Sequence, residues 1–430
     1  VMVGRLLPAG FSVLAFALYA SLSWIMWSNH ISPSWDLGIF TQLAKAYADF
    51  DAPIVNIKGN GYNLLGDHFH PILVTLAPFY WLFPSGGTLL IIQAALFALS
   101  AWPIVSLAAE KLSTASAVLI GFSYVASWGL LNAVWAQFHE IAFAVPLLAF
   151  GLVWWVRDRK IPAAIVIGLL VFVKEDLGLT VAAFGLAIWL RSRTRINLKF
   201  GAFFVAWGSI WFLLSTLVLL PALNPQGQWD YTSNVSLAEQ VVMGWDDKIT
   251  TLIILLFTAG VIGLRSPLIL VMVPTLGWRF IGNVEYYWGT DFHYSAVLIP
   301  IALVALIDGA SGRWQLTAPI ISAITTAIMI TQTQVSLFWD HDGYVNDADE
   351  AIEIASSYDV VATDISLLAY LVPGTNVYYY GTMGDVEPDA IAMNWWRLGE
   401  DVEGWAEDRY GGEWVTVYSH ERWQVVTPVN

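Results

Sequence analysis

Cysteine is absent from this 430-residue chain, which excludes a disulfide framework and any thiolate metal site. Charge is almost as scarce. Only 12% of the residues are Asp, Glu, Lys or Arg, against about 25% in a soluble domain, while 57% are hydrophobic. That balance excludes a soluble globule and describes a polytopic membrane protein. A basic patch is missing too, which argues against nucleic acid as a partner. So are the P-loop, the Rossmann fingerprint, the HExxH zinc motif and the nucleophile elbow.

The acidity that exists is unevenly placed. From Asp340 onward there are 18 acidic residues against Arg397, Arg409 and Arg422, a net charge of −15, whereas residues 1–339 carry 16 acids and 16 bases. The chain therefore divides into a membrane domain, 1–339, and an acidic extracytoplasmic domain, 340–430. In the latter, DVVATDISLLAYLV reads as strand then helix, NVYYYG as a strand, and WVTVYSHERWQVVTPV as two strands about a turn, a small α/β domain.

Apolar runs long enough to span, at about 20 residues each, or nearly so, occur at 8–29, 87–109, 114–135, 141–156, 161–173, 177–190, 199–220, 249–264, 267–282, 295–308 and 316–338. Basic residues at Arg157, Arg159, Lys160, Arg191, Arg193 and Arg195 place those connections in the cytoplasm, together with Lys111, Arg265 and Arg313. The segment 71–84, short and bounded by Pro71 and Pro84, suits an interfacial helix better than a span. The expectation is eleven transmembrane helices with the N-terminus inside. The first loop (30–86), the loops at 136–140, 174–176, 221–248 and 283–294, and the tail then lie outside.

Ionisable groups beside a membrane are costly and usually functional, and the expected outer loops collect them. Asp36 reads either as a general base or as the N-cap of the amphipathic stretch LGIFTQLAKAYADF. Asp67, His68 and His70, within four residues, read as metal ligands, as hydrogen-bonding groups for a sugar or phosphate, or as polar anchors at a helix start. His139-Glu140 and Lys174-Glu175-Asp176 each end an apolar run. An internal ion pair would explain the second triplet, and binding of a charged substrate would explain both. Arg279 reads as a snorkelling arginine or as a cation for an anionic leaving group, a role for which Lys174 and His293 also qualify. Trp395, Trp396, Trp405, Trp414 and Trp423 offer faces for sugar stacking or serve as core.

An Asp directly after the first span, a short amphipathic helix, and then D-x-x-H-P before an apolar segment resembles the first outer loop of GT-C membrane glycosyltransferases. The strings WDLGIF (35–40), GDHFHP (66–71) and TDFHYSAVLIP (290–300) resemble a largely uncharacterised prokaryotic family of predicted membrane proteins related to that superfamily. The resemblance covers roughly residues 1–340. It implies a GT-C-like fold and an inverting glycosyltransferase that moves a sugar from a polyprenyl-phosphate-linked donor to a glycan, lipid or protein acceptor on the outer face. It implies Asp36 as the catalytic residue. Asp67, His68, His70, His139, Glu140, Lys174, Glu175, Asp176, Arg279, His293 and Tyr294 are then substrate-binding candidates. No cofactor is fixed, since some GT-C enzymes use a divalent cation and others use none; Asp67, His68 and His70 are the metal candidates here. A transporter or lipid flippase, and a non-catalytic assembly protein on the same fold, are the alternatives.

Overall fold

The computed structural model describes residues 2–227, 241–340, 348–399 and 401–429. The loop expected at 221–248 therefore lies partly outside the described residues. Among the described residues, five helices are long and apolar enough to cross a bilayer: Leu6–Ser28, Gly86–Lys111, Thr114–Trp135, Arg195–Leu223 and Trp314–Gln332. Shorter apolar helices lie between them, at Pro71–Leu82, Ile141–Val156, Lys160–Phe172, Leu177–Arg191, Pro267–Ile281 and Leu298–Gly309. Exposed side chains such as Val13, Leu217 and Ile324 form the apolar outside that a lipid-facing bundle needs.

Helix starts follow local chemistry. Ser85 Oγ accepts from the Gly87 N–H at 3.1 Å and caps the helix Gly86–Lys111. Ser113 and Thr194 cap the helices beginning at Thr114 and Arg195 in the same way. Leu177–Arg191 and Arg195–Leu214 pack back to back because glycines face each other across the contact. A Cβ on Gly208 would lie 2.2 Å from the Gly178 carbonyl oxygen, and one on Gly185 would lie 2.6 Å from that of Gly201. Small residues let the backbones approach where there is no water to drive association.

The basic ends of these helices are tied by ion pairs. Arg157 Nη2 reaches Glu110 Oε1 at 2.5 Å and Ser106 Oγ at 2.7 Å, and Arg191 Nη2 reaches Asp308 Oδ1 at 2.7 Å. His139-Glu140 and Lys174-Glu175-Asp176 lie at the opposite ends of the helices that finish at Val156 and Arg191.

The helix α1 (Met2–Ser28) leads into the first loop, whose main element is the helix α2 (Asp36–Ala48). The tail folds as one five-stranded sheet built from β1 (Val360–Thr363), β2 (Asn376–Tyr379), β3 (Ala390–Asn394), β4 (Trp414–His420) and β5 (Trp423–Pro428), in the order β2-β1-β3-β5-β4. β1 runs parallel to β2 and β3, and β5 is antiparallel to β3 and β4. Four strands were expected from the sequence; β3 was not, because AIAMN is five fully buried residues without alternation.

This sheet does not stand apart from the first loop. Gln42 Nε2 donates to the Val377 carbonyl at 3.1 Å while its Oε1 accepts from the Ile57 N–H at 3.0 Å, which ties the edge strand β2 to the first loop. Lys45 Nζ donates to the Val372 carbonyl at 2.8 Å, just past the helix Leu368–Leu371. Gly38 lets that helix close on α2, since a Cβ there would lie 2.5 Å from Leu368 Cβ. Trp27 stacks on Tyr370 at 4.0 Å between ring centroids. Buried Leu37, Leu43, Leu368, Leu371 and Val377 belong to one apolar cluster continuous with the helical bundle.

Candidate functional site

Asp36 is the first residue of α2, and Trp35 before it makes no side-chain cap. The capping reading of Asp36 therefore gives way: its carboxylate turns to His139, with Oδ2 3.4 Å from Nε2, and remains 31% exposed. Burial pushes the Asp36 carboxyl up, but the charge on His139 and the bonds with His139 and Ser34 outweigh this and hold it well below the usual carboxylate range. Placement in the first turn of a helix adds a favourable dipole.

His139 is held from all sides. Its ring stacks on His293 at 3.6 Å and meets the edge of Phe40 at 5.8 Å, Phe40 being one turn beyond Asp36. The loop 136–140 that carries it is buried without regular structure, so its backbone needs side-chain partners. Gln93, a lone amide inside an apolar helix, supplies one: its Oε1 accepts from the His139 N–H at 3.3 Å. Gln137, at a left-handed φ of 67°, donates through Nε2 to the Ile31 carbonyl at 3.0 Å. Both ring nitrogens of His139 face protein acceptors, Asp36 on one side and the Gln137 carbonyl at 3.5 Å on the other.

Two ion pairs lie beside this group. Lys174 Nζ is 2.8 Å from Glu140 Oε1, and His68 Nδ1 is 2.7 Å from Glu175 Oε1, whose other oxygen accepts from the Phe69 N–H at 3.0 Å. Lys174-Glu175-Asp176 is therefore not a self-contained pair, because Lys174 and Glu175 each turn to a partner outside the triplet. Burial works against both charges of the first pair, yet Glu140 is held well below its usual range, mainly by Lys174, and Lys174 well above its own, mainly by Glu140. Burial pushes the Asp176 carboxyl up to about 6 against the pull of Lys174, and its Oδ1 is buried without a partner. Burial lowers His70 to about 4, so it is neutral at pH 7, with its Nδ1 buried and unpartnered against the Phe40 edge. Burial and then the neighbouring His139 hold His293 well below the ordinary imidazole range.

The three metal candidates do not act together. Asp67 pairs with Lys58 at 3.2 Å, His68 pairs with Glu175, and His70 faces Phe40. Among the described residues no three His, Asp or Glu side chains converge closely enough to hold an ion. Arg279 is neither snorkelling nor open to a ligand. It is fully buried and donates to the Tyr287 carbonyl at 2.7 Å, the Gly289 carbonyl at 2.6 Å and Ser295 Oγ at 3.0 Å, which fixes the turn that presents His293 and Tyr294. Tyr294 packs on His293 at 4.3 Å and on Tyr287 at 4.9 Å, and burial pushes its phenol up.

The structure thus brings Asp36, His139 and His293 into one group, with Glu140, Lys174, His68 and Glu175 as paired charges beside it, and makes Arg279 a support. Sequence reasoning missed Lys58, Gln93 and Phe40. Only Gln93 carried a signal, as an uncharged polar residue deep in an apolar run.

Comparison with curated proteins and with solved structures gives no match. A family model described as "Predicted membrane protein (DUF2079)" matches residues 29–409. The match begins before WDLGIF, contains every residue of the site, and runs well into the tail, further than the 1–340 expected from the motifs. This chain belongs to the DUF2079 family of predicted membrane proteins.

Proposed function

We propose that the protein is an inverting, GT-C-like glycosyltransferase that uses a polyprenyl-phosphate-linked sugar, with Asp36 as the base. The observation that carries this reading is the partly exposed Asp36 carboxylate, fixed by His139, whose chain neighbour Glu140 holds a cation, Lys174. In the reaction, the acceptor hydroxyl oxygen attacks the anomeric carbon from the face opposite the phosphate. The new C–O bond forms as the bond to phosphate breaks, its electron pair leaves on the phosphate, and the hydroxyl proton passes to Asp36. A carboxylate held below its usual range is a weak base toward a free alcohol. It accepts the proton late, once bonding to the sugar has made the acceptor oxygen acidic. His139 has both nitrogens committed to protein acceptors, so it orients Asp36 and does not replace it. Lys174, kept charged by Glu140, retains donors for the departing phosphate.

In this reading the other ten apolar helices and Trp245–Thr258 make eleven spans, and Pro71–Leu82 lies at the interface, where Phe79, Trp81 and Leu82 are exposed. The site and the tail lie outside and the basic connections inside. The contact between the tail and the first loop supports a common side for both.

Asp36→Asn tests the assignment. It keeps the shape and the place beside His139 but removes the basicity. Transfer from a polyprenyl-phosphate sugar that the protein is shown to bind should fall by about 10²–10⁴-fold, with folding and donor binding little changed. Near-normal transfer by the variant would remove Asp36 from the chemistry.

A further inference from the structure

A line of half-buried aromatic rings leaves the site beside Asp36 and crosses onto the tail. Trp35, the residue before Asp36, meets Tyr379 of β2 at 5.4 Å between centroids. Tyr379 meets Tyr380 at 4.7 Å, and Tyr380 meets Trp405 at 5.7 Å. Trp35 and Tyr379 rest on the core shared with the bundle, and Tyr380 and Trp405 on the separate core of the sheet, yet all four stay partly open to solvent. The contacts between rings are tilted or edge-on, at 69°, 57° and 83°, so neighbouring rings do not cover each other face to face.

Charges flank both ends. Lys58 Nζ lies over one face of Trp35, 5.4 Å from its centroid, and is paired with Asp67, and Arg409 Cζ lies over one face of Trp405 at 6.0 Å. A lipid chain has no use for charged edges, and ring faces alone would suit any apolar ligand. Rings with centroids 4.7–5.7 Å apart, with charged donors and acceptors alongside, suit a pyranose or furanose chain, which offers C–H groups on one face and hydroxyls on its rim.

We propose that Trp35, Tyr379, Tyr380 and Trp405 form an acceptor track that leads a saccharide chain from the tail to Asp36, so that the acceptor is an extended glycan. This rests on Asp36 being the reacting carboxylate, and it gives the tail a function, that of holding the growing chain.

The test uses the full chain in nanodiscs and immobilised mannan, galactan, arabinan, β-glucan and chitin, with a serine-rich peptide as the non-carbohydrate control. At least one polysaccharide should be retained and the peptide should not. Tyr380→Leu and Trp405→Leu keep apolar bulk on the sheet but remove the flat face, and each should weaken retention by about tenfold. Tyr380→Phe and Trp405→Phe should hold it within about twofold, because the ring remains. Trp396→Leu, at an exposed ring stacked under Arg422 outside the line, should change nothing. Retention of none of the five glycans, preference for the peptide, or Leu variants that bind as the wild type does would overturn the track. A glycan retained through these rings, with no transfer from any polyprenyl-phosphate sugar, would leave the track standing and remove the transferase reading.

Discussion

His68 and Glu175 show how a buried pair at this site should respond to pH. Glu175 is desolvated, which would raise it, but His68 and then Lys174 hold it at about 2, below the ordinary 4.5; its stabilising contribution is complete above 4.5 and fades as pH falls toward 2. His68 is also desolvated, yet Glu175 raises it above the ordinary 6.5, so its contribution is complete below 6.5 and fades as pH climbs through the raised value. The pair should therefore support the fold most between about pH 4.5 and 6.5. Thermal unfolding of the solubilised protein should show a broad maximum there, and Glu175→Gln should flatten its acid flank. Lys174 and Glu140 allow a second test. Lys174→Met leaves a buried carboxylate alone and should cost about 3–5 kcal/mol, whereas adding Glu140→Gln should restore most of the loss. Equal stability of the single and double variants would mean that Glu140 is neutralised some other way. Little of this was legible in the sequence. The string Lys174-Glu175-Asp176 invites a local pairing, but the partners are Glu140 and His68, 34 and 107 positions away. Asp36 could be chosen from its place after the first span, while its bond to His139 depends on a loop whose path is set by Gln93 and Gln137.

At the level of the elements, the close helix pair around Gly178 and Gly208 leaves no room for a side chain. Gly208→Leu would drive a side chain into the facing backbone, and we expect a loss of about 1–3 kcal/mol, read as a lowered unfolding temperature in detergent. Gly277, whose Cβ would meet nothing, is the control, and Gly277→Ala should be silent. Apolar runs were readable to within a few residues, as at 87–109 against Gly86–Lys111 and 141–156 against Ile141–Val156, because span length and helix caps are local properties. The strand β3 was not readable, since a strand buried on both faces has no alternation to betray it. The seating of Leu368–Leu371 on α2 was also hidden. Its one sequence trace is Gly38, and a glycine inside a helix does not name the partner that needs the space.

Over the whole molecule, the first loop and the tail act as one body, through Gln42, Lys45, Trp27 and Tyr370. Single cysteines at Asn60 and Asp385 should therefore label from the same side of the membrane, and one at Arg159 from the other; the native chain contributes no background thiol. Labelling of 60 and 385 from opposite sides would refute both the packing and the eleven-span arrangement. The same union has a consequence for biosynthesis. Ser32 and Ser366 meet across 334 residues, so at about 5–20 residues per second the ribosome supplies the second roughly 20–70 s after the first. Throughout that interval Gln42 and Lys45 lack their partners on the tail, and Trp35 lacks Tyr379. A chain that stalls before β2 carries every group of the Asp36 cluster yet leaves uncovered the apolar and polar surface that the tail would meet. Completion of the tail is what covers that surface.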